Sequence, residues 1–309
     1  MRAFITGATG FAGRHLAEWL IECGDEVVGS TRDAHHSSNS AAPPMPLISW
    51  DLASGSTAAL VEMLRRFQPE AVYHLAALSV PSDCGGETPT AAAREVNVDA
   101  TRTLVQLLAD CAWRPRLVLA STSHVYGPWT GSDVRARETQ PVAPGSGYAK
   151  TKLAAEQAVL EAARAEQIDA LVARAFKHVG PRQGERMMLS EWIVQLVRGA
   201  NPVVVQCLDS YVDLSDVRDV VRAYRLLAQR GSAGEIYNVG SGVEQRTGDL
   251  FLALRRLVDP ARPFVESRPG KKQEWIADAS KLITATGWRA KFSLERTISD
   301  ALEHFQGRA

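Results

Sequence analysis

A doubly wound α/β fold with a smaller C-terminal lobe is predicted by three observations in this 309-residue chain. Short apolar runs alternate with helical patterns through residues 1–174, as in a parallel sheet covered by helices on both faces. A glycine-spaced turn, GATGFAG, separates the first apolar run from the first helical pattern. After Arg174 the regularity loosens, and Gly180, Pro181, Gly184, Gly199, Pro202, Gly231, Gly234, Gly240 and Gly242 cut the chain into short units. The predicted division is a sheet domain over 1–174 and a second lobe mainly over 175–309, partly interleaved with the first.

Each element follows from its residues. Arg2–Thr6 is a buried strand, and Ala12, Leu16, Trp19, Leu20 and Cys23 then recur at helical spacing up to a stop at Gly24. Val27–Ser30 and Leu47–Trp50 are the next two strands. Leu60, Val61, Leu64 and Phe67 mark a helix that ends before Pro69. Strands over Ala71–Ala76, Arg116–Ser121 and Ala170–Arg174 alternate with helices over Thr90–Cys111 and Gly147–Glu166. Beyond them, helices are predicted over Leu189–Arg198, Ser215–Ala228 and Leu250–Leu257. No internal repeat is present. The segment DAHHSSNSAAPPMP, from Asp33 to Pro46, reads as a surface loop, and His35 and His36 lack carboxylate or cysteine partners nearby in sequence.

Composition excludes several classes of partner. Lys plus Arg and Asp plus Glu each total 35, so no global grip on nucleic acid or an anionic membrane is expected. Cys23, Cys84, Cys111 and Cys207 form no CxxC pair, which argues against a zinc site or a disulfide scaffold. No metal site is expected. No apolar stretch reaches the ~20 residues that a membrane span needs. The opening MRAFITGATGF lacks the pattern of a signal peptide, so a cytoplasmic protein is expected.

The glycine turn is the first functional signal. Gly7, Gly10 and Gly13 permit a tight turn and a close approach of backbone to a pyrophosphate, with Phe11 and Ala12 opening the helix. The helix N-terminus offers N–H groups and partial positive charge to the phosphates. At the end of the second strand an acidic residue would bind the adenosine ribose and exclude a 2′-phosphate. This chain carries Ser30, Thr31 and Arg32 there, which suit a phosphate dianion and favour NADP, with NAD possible. Asp51, followed by Leu52 after the third strand, is placed to reach the adenine amino group or to cap a helix.

The second signal is Tyr148 with Lys152, four apart on one helix face. A phenol ionises near pH 10, and lowering that by ~3 units needs roughly 4 kcal/mol of phenolate stabilisation. A neighbouring ammonium and an oxidised nicotinamide would supply it. The strand Arg116–Ser121 runs into STSHVYG, which puts Ser121, Thr122 and Ser123 at the carboxyl edge of the sheet, where ligands bind in this architecture.

With these in order, the chain resembles the extended short-chain dehydrogenase/reductase family, of epimerase/dehydratase type, whose members act on nucleotide sugars. The matching segments are GATGFAG (7–13), HLAA (74–77), EVNVDATRTLVQLL (95–108), STSHVYG (121–127), YAKTK (148–152), HVGPRQ (178–183), SDVRDVVRAY (215–224), IYNVGSG (236–242) and TGWRAKFSLE (286–295). The resemblance implies a Rossmann-type sheet, a lobe for a nucleoside-diphosphate sugar, and a homodimer through a four-helix bundle formed by the helices near 90–111 and 147–166. It implies Tyr148 as the proton-transfer residue, Lys152 as holder of the nicotinamide ribose, Thr122 as the catalytic hydroxyl, and Asn97 as a structural asparagine. Leu75, Ala76 and Ala77 of HLAA fall at cofactor positions. Ser123, His124, Lys177 and Arg268 (in ESRPG) fall at substrate positions.

Within the family, RAFKHVGPRQ, DLSDVRDVVRAY and GEIYNVGSG are most similar to GDP-4-keto-6-deoxy-D-mannose reductases. Lys177 stands where such enzymes carry asparagine, and Val212 where they carry arginine. If buried, Lys177 requires a partner, which is the substrate pyrophosphate, a substrate carboxylate or a local Asp/Glu; the alternative is a solvated lysine pointing away from the cleft. The expected contact is the anionic part of the nucleotide sugar.

The expected activity is NADP-dependent reduction of a nucleoside-diphosphate 4-keto-6-deoxy sugar. One alternative is a 4-epimerase with tightly bound NAD(P); another is a non-catalytic NADP-binding sensor or scaffold. A 4,6-dehydratase is not expected, because Ser123 and His124 follow Thr122 where the family's dehydratases place acidic residues.

Overall fold

The computed structural model describes residues 1–32, 45–55 and 57–307. His35 and His36 lie outside the described residues. The first half is built as β1 (Arg2–Thr6), α1 (Phe11–Glu22), β2 (Glu26–Thr31), β3 (Leu47–Ser49), α2 (Ala58–Phe67) and β4 (Ala71–His74). Then come α3 (Ala91–Arg94), a π turn (Glu95–Asp99), α4 (Ala100–Ala109), β5 (Arg116–Thr122), β6 (Arg135–Ala136), α5 (Gly147–Arg164) and β7 (Asp169–Ala175). The helix predicted over Thr90–Cys111 is thus interrupted. At the interruption Asn97 turns inward, accepting from Leu78 N–H at 2.8 Å and donating to Thr151 Oγ1 at 3.1 Å. A π turn of this kind re-aims one side chain without ending the helix.

The second half holds β8 (Lys177–Val179), α6 (Met188–Val197), β9 (Val203–Val205), β10 (Ser210–Asp216), α7 (Val217–Arg230) and β11 (Ile236–Val239). It ends with β12 (Glu244–Arg246), α8 (Thr247–Val258), β13 (Phe264–Glu266), β14 (Lys272–Gln273), β15 (Ile276–Ala277), α9 (Ser280–Thr286) and α10 (Leu294–Gln306). The helix predicted from Ser215 begins two residues later. Ser215 and Asp216 pair with His178 and Val179 of β8, and Asp216 Oδ1 caps α7 by accepting from Arg218 N–H at 2.7 Å.

Seven parallel strands form one sheet in the order β11-β7-β5-β4-β1-β2-β3. One face carries α1 and α7 over Ile5, Tyr73, Val118 and Leu171. The other carries α2, α4 and α5 over Phe4, Val72, Leu117 and Val172. Residues alternate between the two cores because strand side chains alternate. The chain beyond 174 returns to this sheet, since β11 pairs with β7 and α7 packs on α1. A third core, around Trp192, Phe251 and Phe305, belongs to the C-terminal lobe. Strand order reverses at β1, with β2 and β3 on one side and β4 on the other, so a crevice opens between β1 and β4 at the carboxyl edge.

Candidate active site

Five strand ends converge on that crevice. β1 enters the glycine turn, where Gly7 has φ +69° and an added Cβ would stand 2.9 Å from Ala76 Cα. A Cβ on Gly13 would lie 2.1 Å from the Gly7 carbonyl oxygen. Gly7 and Gly13 are therefore fixed by turn geometry and close packing. Gly10 caps α1 with no side-chain hydrogen bond, and the first turn of α1 holds no acidic residue. The partly exposed Phe11 and Ala12 follow it. A helix start of this kind fits a pyrophosphate.

Behind the turn runs a buried polar chain. Thr6 Oγ1 accepts from the N–H groups of Leu75 and Ala76, both at 3.1 Å, and meets His74 Nδ1 at 2.8 Å. His74 Nε2 meets Thr101 Oγ1 at 3.0 Å. Burial, with the Lys152 charge assisting, pushes His74 down to about 3, so it bridges these groups as a neutral ring. The loop carrying Leu75, Ala76 and Ala77 is thus fixed from below, with Ala76 against Gly7 of the glycine turn.

At the end of β2, Thr31 Oγ1 lies 3.1 Å from Thr9 Oγ1, and Arg32 is exposed. Ser30, grouped with them in the sequence reading, is on the face of β2 opposite Thr31, and its hydroxyl is buried without a hydrogen-bond partner. Asp51 caps the short 3-10 turn Leu52–Ser54, its Oδ1 accepting from Ala53 N–H at 3.2 Å. Leu52 is buried in the sheet core.

Thr122 ends β5 and Tyr148 lies in the first turn of α5, with the Thr122 hydroxyl close enough to act on the phenol. Burial dominates at Tyr148 and pushes it up to about 12, with the Thr122 bond opposing. The protein's own groups therefore keep this phenol protonated, instead of lowering it. Lys152 is one turn further on and buried, which lowers it to about 8 against the opposing charge of Glu156.

Beneath them lies a pair that the sequence reading missed. Glu156, 1% exposed, accepts three hydrogen bonds from Arg174 at 2.7, 3.0 and 3.2 Å and one from Ser121 Oγ at 2.5 Å. Burial opposes the Arg174 charge, but the Glu156 bonds and charge outweigh it and raise its pKa. Arg174 also stacks over Tyr126, 4.9 Å from the ring centroid. The signal was available: Tyr148, Lys152 and Glu156 repeat every four residues on one face, and Arg174 interrupts an otherwise apolar strand.

The substrate-side positions divide. Ser123 and His124 follow Thr122 in a 3-10 turn, and the His124 ring stands edge-on to Tyr148 at 5.8 Å. Burial, then the Lys177 charge, lowers the His124 pKa. Lys177 takes a local carboxylate as its partner, Nζ to Glu274 Oε1 2.5 Å. Glu274 is 97 residues away in sequence, and no local pattern marks it. Arg268 is exposed on the turn after β13, its backbone N–H donating to the Gln206 carbonyl at 2.8 Å. Val212 is buried in the core of the C-terminal lobe. Among the described residues no group of three His, Cys, Asp or Glu could hold a metal, and no helix is long and apolar enough to cross a membrane.

The chain is similar along its whole length to proteins of sugar-nucleotide chemistry. It is 29% identical over 320 residues to GDP-6-deoxy-D-mannose reductase of Pseudomonas aeruginosa, covering 99% of this chain and 98% of that protein. It is 32% identical over 313 residues to dTDP-6-deoxy-L-talose 4-dehydrogenase (NAD(P)(+)) of Kitasatospora kifunensis, covering 97% and 94%. The structure of RMD from Pseudomonas aeruginosa complexed with NADPH superposes with a TM-score of 0.85 at 28% identity, covering 100% of this chain and 99% of that one. Residues 3–240 match the model of the NAD dependent epimerase/dehydratase family, and with the glycine turn, the switch-point crevice and the Thr122–Tyr148–Lys152 constellation in place, the chain belongs to that family.

Proposed function

We propose that this protein reduces the 4-keto group of a nucleoside-diphosphate 6-deoxy sugar with NADPH. The carrying observation is the placement of Tyr148 at the start of α5 beside Thr122 at the end of β5, where burial keeps the phenol protonated. A protonated phenol is the form needed to give a proton to a carbonyl oxygen as it gains a hydride. When bound, NADPH supplies that hydride. Thr122 orients the carbonyl oxygen, and the Lys152 ammonium holds the nicotinamide ribose and favours the phenolate left behind. The glycine turn takes the pyrophosphate, and Thr31 with Arg32 takes the 2′-phosphate. Similarity to the Pseudomonas reductase and to the NADPH complex supports the same reading.

The test is NADPH oxidation by GDP-4-keto-6-deoxy-D-mannose in stoichiometric turnover. Tyr148→Phe should reduce turnover at least about a hundredfold, within the range for a general acid, with NADPH affinity and melting temperature near wild type. Activity within a few-fold of wild type would remove Tyr148 from this role. Purified protein carrying tightly held oxidised cofactor, with no net NADPH consumption, would favour epimerisation over reduction. The protein acts in the cytoplasm and pairs as a homodimer by packing α4 and α5 against the same helices of a second copy. Sedimentation at micromolar concentration tests the dimer, and a monomer there refutes it.

A further inference from the structure

Lys177 and Glu274 meet near His124, the neighbour of Tyr148, although they belong to different parts of the chain. Both approach along β10: Lys177 pairs opposite Leu214, and Gln273 opposite Tyr211. Lys177 also stands two residues beyond Ala175, the residue in register with Thr122. Both charges act on His124, whose ring abuts Tyr148. Trp275 fixes the next position, its Nε1 donating to the Gly127 carbonyl at 3.0 Å and its ring packing against Tyr126. The two side chains remain 37% and 41% exposed, so a ligand in the cleft can reach them.

The chemistry of this pair is selective. A sugar hydroxyl both donates and accepts a hydrogen bond. The ammonium only donates and the carboxylate only accepts, so together they match a hydroxyl. A carboxylate on the sugar meets a lysine whose charge is already neutralised, and faces Glu274 as a like charge. Juxtaposed like charges are a common means of rejecting the wrong partner. We propose that the Lys177–Glu274 pair determines sugar specificity: it hydrogen-bonds a ring hydroxyl of an uncharged sugar, a 6-deoxy sugar included, and rejects a hexuronate. This rests on the reading of the cleft as a nucleotide-sugar site.

Calorimetric titration of the NADP-saturated protein tests it. The ligands are GDP-mannose and GDP-mannuronate, UDP-glucose and UDP-glucuronate, with GDP and UDP alone. For whichever nucleotide binds, the wild type should prefer the neutral sugar by about tenfold or more. Glu274→Gln should narrow that preference to within about threefold by tightening the uronate, with diphosphate affinity unchanged. Lys177→Gln keeps a donor and leaves Glu274 in place, so it should weaken uronate binding further. A wild-type preference for the uronate, an unchanged ratio in Glu274→Gln, or tighter uronate binding in Lys177→Gln overturns the inference while the nucleotide-sugar reading stands. Failure of the wild type to bind any of the six compounds overturns both.

Discussion

Replacing Glu156 by glutamine separates the charge beneath the active site from its shape. The side chain keeps its length, and its carbonyl oxygen still accepts from Ser121 or Arg174. What disappears is the anion facing a guanidinium that is 3% exposed. Removing one partner of a buried ion pair costs about 3–5 kcal/mol, and the retained acceptor places this change at the lower end. At about 2.1 cal/mol/K per residue, 309 residues give an unfolding entropy near 0.65 kcal/mol/K. A loss of about 3 kcal/mol therefore lowers the melting temperature by roughly 5 °C. Adding Arg174→Met removes the orphaned charge and should restore at least about half of that loss. A second readout follows from Lys152, which burial lowers to about 8 while Glu156 opposes the lowering. Without the carboxylate the lysine loses its proton at lower pH, so the alkaline decline of NADPH affinity should move to lower pH. Differential scanning calorimetry and NADPH fluorescence titrations on either side of pH 8 measure both effects. A single variant melting within about 1 °C of wild type, or a double variant no more stable than the single one, would refute the buried-charge reasoning. A melting shift with an unmoved pH profile would reduce Glu156 to a packing role.

Arg32→Ala should weaken NADPH about tenfold and leave NADH nearly unchanged, because the lost contact is an exposed charge-assisted hydrogen bond. Raised salt should shrink the difference, and equal loss of both cofactors would exclude a 2′-phosphate role for Arg32. Acid stability reports on His74 and His15, which burial lowers to about 3 and about 4. Below about 6.5 the unfolded chain takes up protons that the folded protein excludes, so stability falls as pH falls. At pH 4.5 each histidine accounts for roughly 2–3 kcal/mol of that loss. Denaturant midpoints for His74→Gln should show a shallower acid slope than wild type despite lower stability at neutral pH, and parallel slopes would exclude the assignment.

The sequence by itself determined the sheet domain and the chemistry at its edge. Strand and helix periods are local, so β1 to β5 and β7 fall within one or two residues of the apolar runs that predict them, β4 ending at His74 instead of Ala76, while the two-residue β6 has no such run. Gly7 and Gly13 are legible because only glycine fits so tight a turn, and Tyr148 with Lys152 because a helix places residues four apart on one face. Tertiary structure decided what depends on contacts between distant segments. It returned β11 to the sheet beside β7, since a parallel neighbour is supplied by topology and not by adjacent sequence. It put a π turn into the helix at Asn97, whose side chain pairs with Leu78 and Thr151 from distant segments. It buried the Ser30 hydroxyl without a partner. It also gave Lys177 its carboxylate. A charge on a strand announces that a partner is needed, but its identity is set by which loop folds over that strand. Here that loop is the one after β14, carrying Glu274 from 97 residues away.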